Sequence, residues 1–218
     1  MNEGIFLFQI FAILGFTWAA FRLGREALSA LIAIEALLAN FFVLKQITLF
    51  GMEVTPSDAF AIGSILSLNL LREYWGQDAA AKAARSSLLF LLFFAMMSQI
   101  HLLFQPSSHD TAQTAYLSLL LPSPRLFCAS IATFFLVQRI DLKIFSALSR
   151  QISFAWRCSL SLVIVQLLDT LLFTLLGLWG TVAAPFEIIL VSTLTKLIAI
   201  FLLTPLVTHL KHDALHRI

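Results

Sequence analysis

A chain of 218 residues, 60% of them hydrophobic and 12% charged, with a mean hydropathy of +0.93, cannot cover a water-facing surface. A net charge of +2, with no stripe of Lys and Arg facing one way, is too small to suggest nucleic-acid binding, and no nucleic-acid partner is expected. Cys128 and Cys158 fall in or beside apolar runs and offer neither a disulfide framework nor metal-ligand spacing, so they read as packing residues.

A helix needs about 20 apolar residues to cross a ~30 Å hydrocarbon core. In chain order the runs that meet this are Ile5–Phe21, Ala27–Leu44, Ser57–Leu71, Ala84–Phe104, Ala115–Val137, Arg157–Leu178 and Ala183–Leu206. The first lacks a basic leader and a small-residue cleavage site, so it is expected to be a retained helix. The third is short and polar at both ends. Between the last two, Gly177 to Pro185 reads as a turn, with Pro185 placed to start the next helix. The expected fold is all-α: a single integral membrane domain over residues 1–218, a polytopic bundle of about seven spans.

Basic residues orient such a bundle, because they collect on the cytoplasmic side. With seven spans, Arg22, Arg25, Arg72, Lys82, Arg85, Arg139, Lys143, Arg150, Arg157, Lys211 and Arg217 all share one side, which is eleven of the fourteen. The opposite loops, 45–56, 105–114 and 179–182, contain Lys45 alone. The pattern predicts an outer N-terminus and a cytoplasmic C-terminus in an inner membrane, and removing one span would scramble it.

Arg125 and Lys196 are left over. An isolated charge at the bilayer centre costs at least ~2.5–3.5 kcal/mol, so such groups are paired, functional or both. Glu35, Glu73, Asp169 and Glu187 are the acids in apolar runs, joined by Asn40, Asn69, Ser161, Gln166 and Thr195. At 1.5 Å per residue, Asp169 lies roughly 18 Å into span six and Lys196 about 10–12 Å from the inner face on span seven. The two are therefore within a turn or two of one level, either as a structural ion pair or as part of a binding site. Ser161, Gln166 and Asp169 fall on one arc of roughly 140°, a polar face that must meet protein or a water-filled cavity. Asn69 and Glu73, four apart, share a face, but Arg72, Tyr74, Trp75 and Gly76 around them also suit an interfacial helix end. Glu35 is either a second intramembrane acid or a bond to a neighbouring helix, and Glu187 is expected at the surface. His101, His109, His209, His212 and His216 have no metal-site spacing. No H-E-x-x-H, G-x-S-x-G or P-loop is present, so neither an enzyme nor an intrinsic ATPase is expected, and no cofactor or metal.

The segment Thr55 to Gly76, with Asn69, Glu73 and Gly76, resembles the queuosine-precursor transporter family, formerly grouped with vitamin-uptake transporters. Asn69 stands where an acid is usual. The second block is more specific: Arg125-Leu-Phe-Cys-Ala-Ser-Ile-Ala, Asp141-Leu-Lys-Ile-Phe, then Arg157 through Ser161 and Gln166 to Asp169-Thr170. Cys158 replaces the usual Asn, and Lys196 and Pro205 match the last helix. The resemblance covers about residues 27–210, with the first span an N-terminal addition seen in part of the family.

That resemblance implies a carrier for 7-deazaguanine bases: queuine, or the 7-cyano or 7-aminomethyl precursor, taken up for tRNA modification. It implies a substrate site drawn from Asn40, Asn69, Glu73, Arg125, Arg157, Ser161, Gln166, Asp169 and Lys196. Asp169 or Glu73 would accept from the guanine-like edge, and Gln166 and Asn40 would pair with O6 and the ring nitrogens. Arg125, Arg157 and Lys196 would balance the acids or bond the carbonyl, and a flat ring would want an aromatic or aliphatic clamp. The alternative it suggests is a capture subunit for another vitamin-like ligand, working with a separate ATPase. A membrane-embedded enzyme or an assembly scaffold is the reading from outside the transporters. A homodimer is expected from the fold type alone.

Overall fold

The computed structural model describes residues 1–147 and 154–198. It is a helical bundle: α1 Asn2–Leu23, α2 Arg25–Phe42, α3 Asp58–Trp75, α4 Gln77–Leu102, α5 Gln113–Leu120, α6 Ser123–Ala147 and α7 Phe154–Phe173, then a π-helical turn Thr174–Leu178. A last helix, α8, is described over 185–198 and opens on Pro185, as the sequence predicts.

Two of the reversals use one residue each. Gly24 (φ 108°) separates α1 from α2 and Gly76 (φ 88°) separates α3 from α4, both in the positive-φ region that glycine enters without a Cβ penalty. The Gly24 N–H still reaches back to the Ala20 and Phe21 carbonyls at 3.1 and 3.2 Å, satisfying the end of α1. Each reversal therefore brings its two helices together along their length. Leu28, Ile32, Leu66, Leu70, Leu71, Ala80 and Ala83 fill the core between α2, α3 and α4.

Outward, the polarity is inverted relative to a soluble protein. Phe8, Phe11, Phe16, Leu89, Phe93, Phe186 and Leu190 are all exposed, and α1 buries only Ile13 and Thr17. Such a belt is stable only in hydrocarbon. Among the described residues, three segments are long and apolar enough to cross a membrane: Asn2–Leu23, Gln77–Leu102 and Gln113–Val137. The sequence reading expects seven. Of the other four expected spans, α2 carries Arg25, Glu26 and Glu35 and α3 carries Asp58, Arg72 and Glu73, three charged residues each, while Ala183–Leu206 extends outside the described residues and of Arg157–Leu178 only Val163–Leu178 stands as a shorter apolar helix.

Three boundaries differ from expectation. The fifth run is broken at Leu121–Pro122 into α5 and α6, since proline cannot donate to the preceding turn. α6 then continues to Ala147, ten residues past the expected end at Val137. Residues 45–56, expected as a plain loop, hold a β-hairpin: β1 Ile47–Leu49 pairs antiparallel with β2 Met52–Val54, with Thr48 opposite Glu53. Phe50 and Gly51 both take positive φ, the tight turn that matches strand twist. The hairpin is tied down on two sides. Asn2 Nδ2 donates to the Thr48 carbonyl (3.1 Å), and the Phe50 N–H to Glu3 (3.2 Å). The Glu53 N–H donates to Glu187 (2.6 Å), and the Ala183 N–H to Gln46 (3.0 Å). Glu187, expected at the surface, is thus half-buried as the anchor of this cap.

Candidate functional site

Six helices surround one cavity of about 260 Å³. α2 supplies Glu35 and Asn40, α3 Asp58 and Phe60, α4 Ser87 and Leu91, α6 Ser130 and Phe134, α7 Gln166, Asp169 and Phe173, and α8 Lys196. The volume lies just under the ~300–1,000 Å³ typical of drug-sized ligands, so it suits a small molecule. The lining follows the usual logic of such sites: mostly apolar wall, aromatic faces, and a few convergent polar groups.

The charged centre comes from the last two helices. Lys196 Nζ lies 3.2 Å from Asp169 Oδ2 and donates also to Thr170 Oγ1 at 2.9 Å. The two partners differ in access: the Lys196 side chain is 6% exposed, that of Asp169 39%. Lysine is therefore the anchored member, while the carboxylate turns an edge to the cavity. Across it, Asp58 in the first turn of α3 accepts from Ser192 Oγ on α8 at 2.9 Å, and its field overlaps those of Lys196 and Asp169. Among the described residues, one cation thus stands with the carboxyl groups Asp58, Asp169 and Glu35 on the cavity wall.

The neutral polar groups divide in two. Asn40 is already engaged, its amide donating to the Ala36 carbonyl at 2.9 Å and its oxygen accepting from Ser130 across the α2–α6 contact. Gln166 lines the cavity with its side-chain amide uncommitted among the described residues. Phe60, Phe134 and Phe173 supply flat apolar faces, which narrows twenty-one phenylalanines to three.

The predicted site residues therefore separate. Asn40, Gln166, Asp169 and Lys196 meet at the cavity. Asn69 and Glu73 are half-buried toward the far end of α3 and do not line it. Arg125 is exposed and does something else: its Nε and Nη2 donate to the Leu176 and Trp179 carbonyls at 3.0 and 2.7 Å. Those carbonyls terminate the π-helical turn and lack partners within the helix, so a cation there satisfies both their bonding and the helix dipole. The side chains of Arg157 and Ser161 lie outside the described residues, as does Pro205. Sequence reasoning passed over Asp58, Ser130 and Ser192. Asp58 looks like an ordinary first-turn acid, and a serine in an apolar helix carries no signal until its partner is known.

The wide turn Thr174–Leu178 closes with the Trp179 N–H donating to the Thr174 carbonyl at 2.9 Å. Turns of this kind inside helices occur often at functional sites. This one begins directly after Phe173 and lets Gly177 pass close to Ala129, where a Cβ would sit at 3.2 Å.

Comparison with known proteins agrees with this architecture. The chain matches the family described as putative vitamin uptake transporter over residues 57–210. It is 30% identical over 161 residues to a "Probable queuosine precursor transporter" of Bacillus subtilis (strain 168), spanning 72% of this chain and 70% of that relative. No solved structure matches it. The matched segment carries Asp58, Gln166, Asp169 and Lys196, and the chain belongs to the putative vitamin uptake transporters, membrane transporters related to queuosine-precursor transport.

Proposed function

We propose that this chain imports a queuosine precursor, a 7-deazaguanine base, across the inner membrane by alternating access around the α2–α8 cavity. The observation that carries the reading is the convergence of Asp169, Lys196 and Gln166 on one small aromatic-walled cavity. A guanine-like edge presents adjacent N–H donors and a carbonyl. Asp169, with its exposed edge, accepts from the donors, Gln166 offers both a donor and an acceptor, and Lys196 stands near enough to bond the carbonyl. Phe60, Phe134 and Phe173 provide the clamp for a flat ring. Two helices meeting at charged groups mid-membrane is the arrangement that rocking carriers use.

In this reading the protein crosses the membrane seven times with a cytoplasmic C-terminus, and it releases the base unaltered. The two glycine reversals support the orientation. They and their flanks carry Arg22, Arg25, Arg72, Lys82 and Arg85, whereas the hairpin end has Lys45. Single cysteines at positions 82 and 108 are expected to label from the cytoplasmic and outer sides respectively, and the reverse result overturns the orientation.

Rescue of queuosine in tRNA tests the function. A host unable to make the precursors and lacking its own importer receives this protein and each base separately. Queuosine is expected with at least one base and lost with Gln166→Ala or Asp169→Asn. A membrane-inserted protein that rescues with none, or variants that rescue at the parental level, refute the assignment.

A further inference from the structure

Glu35 is the most deeply buried carboxyl on the described cavity wall, 3% exposed, and both its oxygens lack a hydrogen-bond partner among the described residues. It sits where α1, α2 and α3 meet. A Cβ on Gly63 would overlap both the Glu35 carboxyl and the Ile13 side chain, so the absence of a side chain at 63 is what admits the acid. Thr17 lies one turn beyond Ile13 on α1, and Ser67 one turn beyond Gly63 on α3. The two helices run the same way, so both hydroxyls come at one level. Ser67 is near the carboxyl but outside hydrogen-bond geometry, and the Thr17 and Ser67 hydroxyls are themselves without a partner among the described residues.

The charged groups around this junction do not relieve it. α1 presents Ile13 and Thr17, α3 presents Gly63 and Ser67, and α4 presents Ser87, Leu88 and Leu91 toward the same wall. None of these carries a charge; among the described residues, the titratable groups that share the cavity wall with Glu35 are Asp58, Asp169 and Lys196. Lys196, the cation of the cavity, is committed to Asp169 and Thr170, and no cation acts on Glu35 among the described residues. Burying an ionised carboxylate to 3% exposure without a partner costs far more than packing of this kind supplies, so the buried position favours the carboxyl O–H form. Sodium would need a fuller oxygen cage than one carboxyl and two hydroxyls.

We propose that Glu35 is the proton-coupling site of the carrier. With the α1–α2–α3 junction packed as described, Glu35 is buried and keeps its proton. When the junction opens and water enters, the carboxyl O–H releases that proton to water and the carboxylate is solvated. Proton occupancy and helix packing are then one equilibrium, and a proton gradient biases which side the cavity faces. Glu35 lies five residues from Asn40 on α2, about 7.5 Å along the axis, so it meets the cavity wall from the side of the α1–α2–α3 junction. Glu35 and Thr17 both precede the segment 57–210 that matches the family. The coupling to uptake rests on the transport reading above, but the proton site does not.

The test uses the full chain in liposomes and separates the two. Infrared difference spectra of wild type against Glu35→Gln are expected to show a protonated carboxyl band at neutral pH that the variant lacks. Raising the pH is expected to remove that band and to speed amide exchange at 13–17 and 63–67 in wild type and in Glu35→Asp, but not in Glu35→Gln. Absence of the band, or exchange that ignores pH, overturns the proposal whether or not any base is carried. Transport is then read as a ratio, using labelled 7-cyano-7-deazaguanine, which has no cationic amine. One pH unit, acid outside, is expected to raise wild-type accumulation up to about tenfold at one proton per base, and Glu35→Gln is expected to show a ratio of one. Uptake by wild type at a ratio of one, or uptake that follows sodium instead, also overturns it. If wild type carries no base while the band and the pH-driven opening are present, the substrate assignment fails and the proton site stands.

Discussion

Replacing Lys196 by Met keeps most of the aliphatic stem and removes the ammonium that lies 3.2 Å from Asp169 and 2.9 Å from Thr170. Two carboxylates, Asp169 and Asp58, then face one cavity without their cation. Removing one member of a fully buried pair costs about 3–5 kcal/mol. Here the Asp169 side chain is 39% exposed, so cavity water takes up part of the loss, and about 2–3 kcal/mol is the better expectation. Asp169→Asn alone leaves a 6% exposed ammonium with Thr170 and the more distant Asp58, at a comparable cost. The double variant removes both charges and leaves no orphan, so it is expected to be more stable than the two single losses summed, by roughly 1.5–3 kcal/mol. Thermal unfolding of the detergent-solubilised chain reads this directly. At about 2–4 °C per kcal/mol for a chain of this length, each single variant drops by roughly 4–12 °C and the double by clearly less than their sum. Additive losses would mean that the pair is not coupled and that the charged centre is misdrawn.

Two other contacts give independent expectations. Arg125→Gln loses the charge-assisted bonds to the Leu176 and Trp179 carbonyls. The side chain is exposed, so a loss of about 1–2 kcal/mol is expected, seen as a lower unfolding midpoint and faster amide exchange around 174–179. Glu187→Ala removes the acceptor of the Glu53 N–H (2.6 Å) and unties the hairpin from α8. Exchange at Glu53 is expected to quicken roughly 5–30-fold, with Glu187→Gln closer to wild type. An unchanged rate would show that the hairpin is held by its other ties to Asn2, Glu3 and Gln46.

Sequence alone determined the class of this molecule, because a chain this apolar has no alternative to burying its backbone in helices within lipid. It also located two of the breaks between helices, since Gly76 and Pro185 act through local backbone geometry that needs no neighbours. The Asp169–Lys196 level was legible for a similar reason: rise per residue is constant, and two helices joined by a short turn run side by side. What periodicity could not convey was which face meets which. The same Asn40 that spacing left ambiguous lines the cavity because α6 brings Ser130 against it. Arg125, which looked like a site cation, is spent on the open end of a π-helical turn that no local pattern announces. Asp58 became part of the site only when α8 delivered Ser192 and Lys196 to it across 134 and 138 residues of chain. Glu35 became an unpaired acid only when Gly63 left room for it between three helices. Helix type and depth follow from bonds made within a few residues, whereas partnership between polar groups is a property of packing, and packing is decided by the whole bundle at once.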